Sequence, residues 1–548
     1  MNWRAVTAAV GLASLLGPIL LASAQQQANP PVLHEATHLV HVSVIVMDRS
    51  GHPVTDLTQN DFVIKDRGHA QEIGLFSRDA ANAASQQRQV LPRNIFSDQP
   101  QYNGASPNGV TIVLLDNLNT LVGSAPTPYE TTPLWMEDHA LANAKQHLMA
   151  FLKELDPNDR IAIYGLTDKL HVLCDFTCNR QQLLTVVSKY DATSHSLRES
   201  SEPGNFYFPD QDPSDPFVFD NAEDASIQQL AAMNNERRGE VTMAALAAIA
   251  SHVAAIPGRK NLLWLTSNLP FSGDAIARIL ARGDIVAYPV DARGLLPRAP
   301  QENITGVMDA DAYAKGELGA PPAMSQQPIG IPAMEQMAND TGGRAFVNAN
   351  DLTAAIRSVI EESAVTYTLG FYVNASSLDG KFHELKVQVT RAGLMVRYPR
   401  GYFAFKDEPA SKNEREENFL AAIRNPLDSA AISLLVRAVR VDQPPDTVQV
   451  AGSIGLKNLE MADQGGTRSG VVDLYFIEQD ATGNVLSQAS THLRLKLTEQ
   501  QYQEYLKSGI TFRDQLQLKK GTAVVRVVVQ DPATSEIGSV IIPLARIE

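Results

Sequence analysis

Apolar residues recur with three different rhythms along this chain, and each rhythm predicts a different architecture. Val40, Val42, Val44 and Val46 alternate with other residues, which is the period-2 pattern of a half-buried strand. The cluster Asp48-Arg49-Ser50-Gly51-His52-Pro53 then marks a turn. Phe62 and Ile64, followed by Ile73 and Leu75, give two more short strands. From about residue 108 to 365 the runs Val110–Leu115, Arg160–Leu166, Lys169–Cys174, Asn261–Thr266 and Ile285–Val290 are almost continuously apolar. Such runs predict parallel strands buried on both faces. Between them, Leu141, Ala144, Leu148, Phe151, Leu152 and Leu155 fall on one helical face, as do Leu352, Ala355, Ile356, Val359 and Ile360. The expected fold class is α/β: an open, mostly parallel sheet wrapped by helices, flanked by β-sandwich domains.

The remaining segments set the expected domain boundaries. Residues 36–80 and 366–405 read as all-β, and each is too small to bury a core well alone. We therefore expect them to form one discontinuous sandwich with the α/β region inserted. Residues 406–429 read as a charged linker, and 430–548 as a C-terminal β-sandwich with strands such as Val448–Ile454, Val471–Ile477 and Thr522–Val529. Long interruptions at 192–226 and 294–330 suggest functional loops.

The first residues carry an address. Arg4 precedes an apolar stretch from Ala5 to Leu21, and Ala22-Ser23-Ala24 forms a small-x-small site before a polar leader at 25–35. This predicts a secretory signal peptide cleaved near Ala24, and a secreted or periplasmic protein. No later stretch reaches the ~18 apolar residues of a membrane span.

Composition narrows the function. The 548 residues are 44% hydrophobic and 20% charged, with a formal net charge of −15. That is globular, and a poor match to nucleic acid or anionic membranes. Only two cysteines are present, which excludes a disulfide framework or a cysteine-based zinc finger. Cys174 and Cys178 are four apart, and an oxidising compartment favours their pairing. A disulfide then requires the chain to turn at Asp175-Phe176-Thr177, because five extended residues span ~13 Å.

Two motifs fail on context. His34-Glu35-Ala36-Thr37-His38 spells the zinc-protease signature, whose chemistry needs a helix that puts both imidazoles on one face. Here Pro30-Pro31 precedes it and a strand follows, which would separate His34 from His38 by ~13 Å. Arg282-Gly283-Asp284 spells an adhesion tripeptide but lies between a helix and a strand, with Gly283 read as a helix C-cap. No P-loop, G-x-G-x-x-G or G-x-S-x-G stands at a strand end, so nucleotide binding and serine hydrolysis lack support.

The carboxyl ends of the strands are where ligands of open α/β folds bind. Asp116-Asn117-Leu118-Asn119-Thr120 leaves the first of them, Thr242 is expected to open the helix Met243–Ala255, and Ser267-Asn268 ends the strand Asn261–Thr266. This order resembles a von Willebrand factor A domain with its metal-ion-dependent adhesion site, and more closely the acidobacterial-type relatives of that family. Further motifs of the resemblance are Val46–Val54, Asn60–Ile64, Pro257-Gly258-Arg259-Lys260-Asn261, Thr341-Gly342-Gly343 and Arg400-Gly401-Tyr402. It spans about residues 38–405. The resemblance implies a non-enzymatic protein-binding or adhesion module, with Asp116, Thr120 and Thr242 as metal ligands and Ser267 behind them. Two departures weaken that site: Leu118 replaces a ligating hydroxyl, and Ser267 stands where a carboxylate is usual. The expectation is weak Mg²⁺ binding or none, with a hydrogen-bonded cap on Asp116 as the alternative. In the 192–226 loop, Asp210, Asp212 and Asp215 lack EF-hand spacing, whereas Phe206, Tyr207, Phe208, Phe217 and Phe219 are candidate partner-binding aromatics. The partner expected is a protein or surface ligand. An envelope scaffold without metal, or a zinc metalloprotease through His34, Glu35 and His38, are the alternatives.

Overall fold

The computed structural model describes residues 37–80, 91–99, 102, 109–120, 137–155, 159–190, 221–269, 272–292, 330–347, 351–362, 365–405, 411–463 and 465–547. The fold is mixed α/β. The central sheet runs in the order Ile285–Asp291, Lys260–Thr266, Val110–Asp116, Ile161–Leu166, Leu170–Cys174. The first four are parallel neighbours and buried along their whole length. Successive side chains point to opposite faces, so this sheet feeds two cores. Val113, Leu115 and Leu263 pack under the helices Glu137–Lys153, Arg180–Lys189 and Leu352–Glu362. Ile112, Leu114 and Trp264 pack under Asn221–Val253, Gly273–Ala281 and Ile331–Thr341.

The edge strand corrects the sequence reading. Leu170–Cys174 is antiparallel to Ile161–Leu166, not parallel. A parallel return needs a crossover of a dozen or more residues, and here the chain turns back at once through Thr167 N–H donating to Lys169 O at 3.1 Å.

The two outer β blocks meet directly. Thr37–Met47 pairs antiparallel with Val365–Asn374, with Val42 opposite Leu369. Leu75–Ala80 and Met395–Arg397 complete that sheet. A second sheet, in the order Gly401–Phe403, Phe382–Val389, Phe62–Asp66, His69–Gln71, shares with it a core containing Val44, Ile64, Leu369, Phe371 and Leu385.

C-terminally, one sheet runs Ile510–Gln517, Thr447–Ile454, Leu434–Val441, Ile95–Ser97. The other contains Thr467–Gln479, Val524–Gln530 and Ile537–Pro543, with Val485–Thr498 on the outer side of Thr467–Gln479. Val436, Val450, Phe476 and Val527 lie in the core they share. The Ile95–Ser97 strand, unassigned from sequence, is fastened by Ser97 Oγ donating to Leu434 O at 2.6 Å and Leu434 N–H donating to Asp98 Oδ1 at 2.7 Å.

The supposed linker 406–429 also needs correction, because it contains the helix Lys412–Arg424. Ser411 and Glu414 form a reciprocal capping box at its start. At its end the buried Arg526 guanidinium donates to Ala422 O, Asn425 O and Leu427 O, satisfying carbonyls that the helix leaves unpaired.

A buried ionic junction ties this region to the α/β unit. His252 is 5% exposed, and its Nε2 lies 3.3 Å from Asp175 Oδ2. Its Nδ1 lies 2.8 Å from the Asp428 carbonyl, which can only accept. The ring thus has an acceptor on each side, a carbonyl at Nδ1 and a carboxylate within ion-pair distance of Nε2, the surroundings of an imidazolium. Burial opposes that charge, but the Asp175 carboxylate outweighs it and raises His252 to about 9. Asp175 in turn accepts from Tyr164 Oη at 3.0 Å, and Phe176 stacks on the His252 ring. Nearby, Ala430 N–H donates to Ser251 O.

Candidate functional site

The candidate site stands at the carboxyl edge of the central sheet, where Asp116, Thr266 and Asp291 end neighbouring strands. Asp116, Asn119, Thr120, Thr242 and Ser267 are all essentially buried. The chain leaves Asp116 in a tight turn: Asn119 N–H donates to Asp116 Oδ1 at 2.8 Å, and Thr120 Oγ1 donates to the Asp116 carbonyl. Leu118 turns into the apolar core with Ile112 and Leu114, so the residue that departs from the adhesion pattern has a packing role instead.

The Asp116 carboxylate is then closed from its other sides. Trp264 Nε1 donates to Oδ2 at 2.8 Å, and the Asn119 amide donates to Oδ2 at 3.0 Å. Burial raises the Asp116 carboxyl above its ordinary value, while the Asn119 and Trp264 hydrogen bonds pull it down. The Asn119 amide also donates to Thr242 Oγ1 at 2.9 Å. Thr242 itself donates to Arg238 O at 2.9 Å, one helical turn back. Arg238, 1% exposed, brings Nη2 to within 3.3 Å of Asn119 Oδ1. A single amide thus joins the turn carboxylate, the helix hydroxyl and a buried guanidinium.

This arrangement does not fit a hard divalent cation. Mg²⁺ wants about six oxygens near ~2.1 Å. Here both carboxylate oxygens accept from protein donors, and the Asn119 amide N–H group lies between Asp116 and Thr242, with Thr242 Oγ1 accepting from it. Among the described residues there is also no cluster of three or more His, Cys, Asp or Glu with metal-holding spacing.

Thr242 is brought to Asp116, but not by the route expected. It does not open a helix at 243; it lies deep within the 33-residue helix Asn221–Val253. The residues that sequence reasoning missed are Asn119, Arg238 and Trp264. The i, i+4 spacing of Arg238 and Thr242 was the available signal for one of them, since it places both on one helical face.

The cysteines form a disulfide, Cys174–Cys178, with a Cα–Cα distance of 6.1 Å. The chain turns between them through Cys178 N–H donating to Asp175 O. In the tripeptide Arg282-Gly283-Asp284, the left-handed residue is Asp284 at φ 52°, not Gly283. Gly283 is instead a close-approach position, where a methyl would sit 2.9 Å from Ala250 O. His38 lies in the strand Thr37–Met47, the wrong backbone for zinc-protease geometry. His34 and Glu35 lie outside the described residues, as do the signal-like segment, Asp210, Asp212, Asp215 and the aromatics Phe206, Tyr207, Phe208, Phe217 and Phe219.

No family model matches the chain, and no curated protein sequence matches it. Among solved structures, it is similar to an aerotolerance-related membrane protein from Bacteroides fragilis, at 12% identity over 47% of this chain and 98% of that one, TM-score 0.26. A von Willebrand factor type A protein from Catenulispora acidiphila is similar at 9% identity over 88% of this chain and 73% of that one, TM-score 0.24. Proximal thread matrix protein 1 from the mussel byssus is similar at 8% identity and TM-score 0.24; the chain spans 48% of its length. Likeness at this level identifies no family.

Proposed function

We propose that this chain is a non-enzymatic, extracytoplasmic binding module whose von Willebrand A-like unit works without a metal. The observation that carries this reading is the Asn119 amide. It sits between Asp116 and Thr242, hydrogen-bonds both, and is backed by Arg238. In this reading a fixed internal cation and an amide stand in for a divalent ion. The edge keeps its shape, and no carboxylate from a partner is needed to complete a metal shell. The outer β blocks at 36–80 and 366–405 are read as one discontinuous sandwich and 430–548 as a second, together carrying the α/β unit. The motifs quoted above and the signal-like residues 1–24 support the family and export parts of the reading.

The experiment is affinity capture from envelope extracts on the immobilised full chain, in Mg²⁺ and in EDTA. Equal recovery of the same partner supports the reading. Recovery that requires Mg²⁺ and is lost in Asp116→Ala overturns its metal-free part.

A further inference from the structure

The Val485–Thr498 strand is 14 residues long and among the described residues pairs on one side only, with Thr467–Gln479. Most of it is exposed, Val485 by 48% and Leu486 by 38%. At ~3.4 Å per residue its open edge offers roughly 45 Å of backbone donors and acceptors. Proteins ordinarily blunt such edges by shortness, proline or a covering element. This strand is long and contains no proline.

Its two faces are chemically distinct. Cross-strand partners share a face, so Ala489 opposite Phe476 and Thr491 opposite Leu474 lie on the core side. Phe476 and Leu474 are buried in the core there, with Phe512 beside Phe476. Further along the same face Leu493, Leu495 and Leu497 pack on this core, whereas Ala489 and Thr491 are small and exposed. On the opposite face, Arg494 lies across from Val471 and Lys496 across from Ser469, all without an acidic neighbour in register. His492 on the same face is held by Asp473 at 2.6 Å. The strand contains no acidic residue, in a chain whose net charge is −15.

We propose that the outer edge of Val485–Thr498 accepts an extended acidic segment of a partner protein by antiparallel strand addition. Backbone hydrogen bonds supply the affinity. Apolar side chains of the segment cover Ala489 and Thr491, and its carboxylates face Arg494 and Lys496. This site is separate from the carboxyl edge of the α/β sheet and does not rest on how that edge works.

The test uses the full chain and a fluorescein-labelled octapeptide alternating Glu and Val, followed by anisotropy at low salt. Saturable binding in the ~10–100 μM range is expected, weakening with salt. The double variant Arg494→Glu, Lys496→Glu should bind that peptide at least about tenfold more weakly, and should gain binding to a Lys–Val octapeptide. The gain shows that the variant is folded. An acidic peptide N-methylated at alternate residues should lose binding, because it cannot complete the ladder. Absence of binding at ~1 mM, undiminished binding of the N-methylated peptide, or indifference to charge reversal each overturns the proposal. In those cases the two cations serve only to protect the edge.

Discussion

Replacing His252 with Gln should remove a pH-dependent share of this protein's stability. The imidazole sits 3.3 Å from Asp175 and is 5% exposed, while Asp175 is 26% exposed. Its folded-state value of about 9 lies above the ordinary 6.5. The pair therefore stabilises fully below about pH 6.5, and that contribution is lost as pH rises through about 9. A shift of this size corresponds to roughly 3 kcal/mol, close to the cost of breaking a buried pair by deleting one partner. Asp428, raised by burial to about 6, has finished titrating over most of the window from pH 6.5 to 9.5. Urea unfolding followed by tryptophan fluorescence is the assay, since urea does not screen charge as guanidinium does. Wild type should lose ~2–3 kcal/mol between those limits. His252→Gln should start lower by about that amount and show a flat profile. Equal slopes in the two proteins would refute the reasoning, as would a wild type insensitive to pH.

Other perturbations follow from the same structure. Cys174→Ser with Cys178→Ser opens a very short loop and should cost ~2 kcal/mol in urea unfolding, with two thiols titrated in the reduced wild type and none before reduction. Arg526→Met leaves the carbonyls of Ala422, Asn425 and Leu427 unpaired, and should destabilise the C-terminal unit by ~2–4 kcal/mol by thermal unfolding. At Gly343 an added methyl would land on Ala287 O, so Gly343→Ala should cost at least ~3 kcal/mol or prevent folding. At Gly51, with φ +83° and open space around it, alanine should cost only ~1 kcal/mol by the same measurement.

The parallel strands were legible in the sequence because burial on both faces removes polar positions. Val110–Asp116 and Lys260–Thr266 are almost unbroken apolar runs apart from their ends. Strand direction was not so visible: Leu170–Cys174 looks like its neighbours, and only the brevity of the turn at Thr167–Lys169 makes it antiparallel. The helix Asn221–Val253 was recognised only in its C-terminal part. Leu246, Ile249 and Val253 are buried there, while Glu236 and Arg237 are exposed, so its earlier turns lack an apolar stripe. Ser411-x-x-Glu414 was readable as a capping box, yet the density of charge around it suggested a linker. At the site, Asp116 and Thr120 could be placed on the carboxyl edge because they leave the first strand, whereas Thr242 was expected there as the opening of a helix that in fact runs through it. The closure by Asn119 and Arg238 could not, because the hydrogen bond between them joins residues 119 positions apart, and no local pattern encodes such a meeting.

Isothermal titration of the full chain with Mg²⁺, alongside Asp116→Ala, tests the central claim most directly. With both Asp116 oxygens and Thr242 Oγ1 already engaged by Asn119 and Trp264, the account predicts no saturable heat up to ~10 mM Mg²⁺ in either protein, beyond the weak extracellular regime of oxygen-ligand sites. Stoichiometric Mg²⁺ binding in the wild type, abolished by Asp116→Ala, would contradict it.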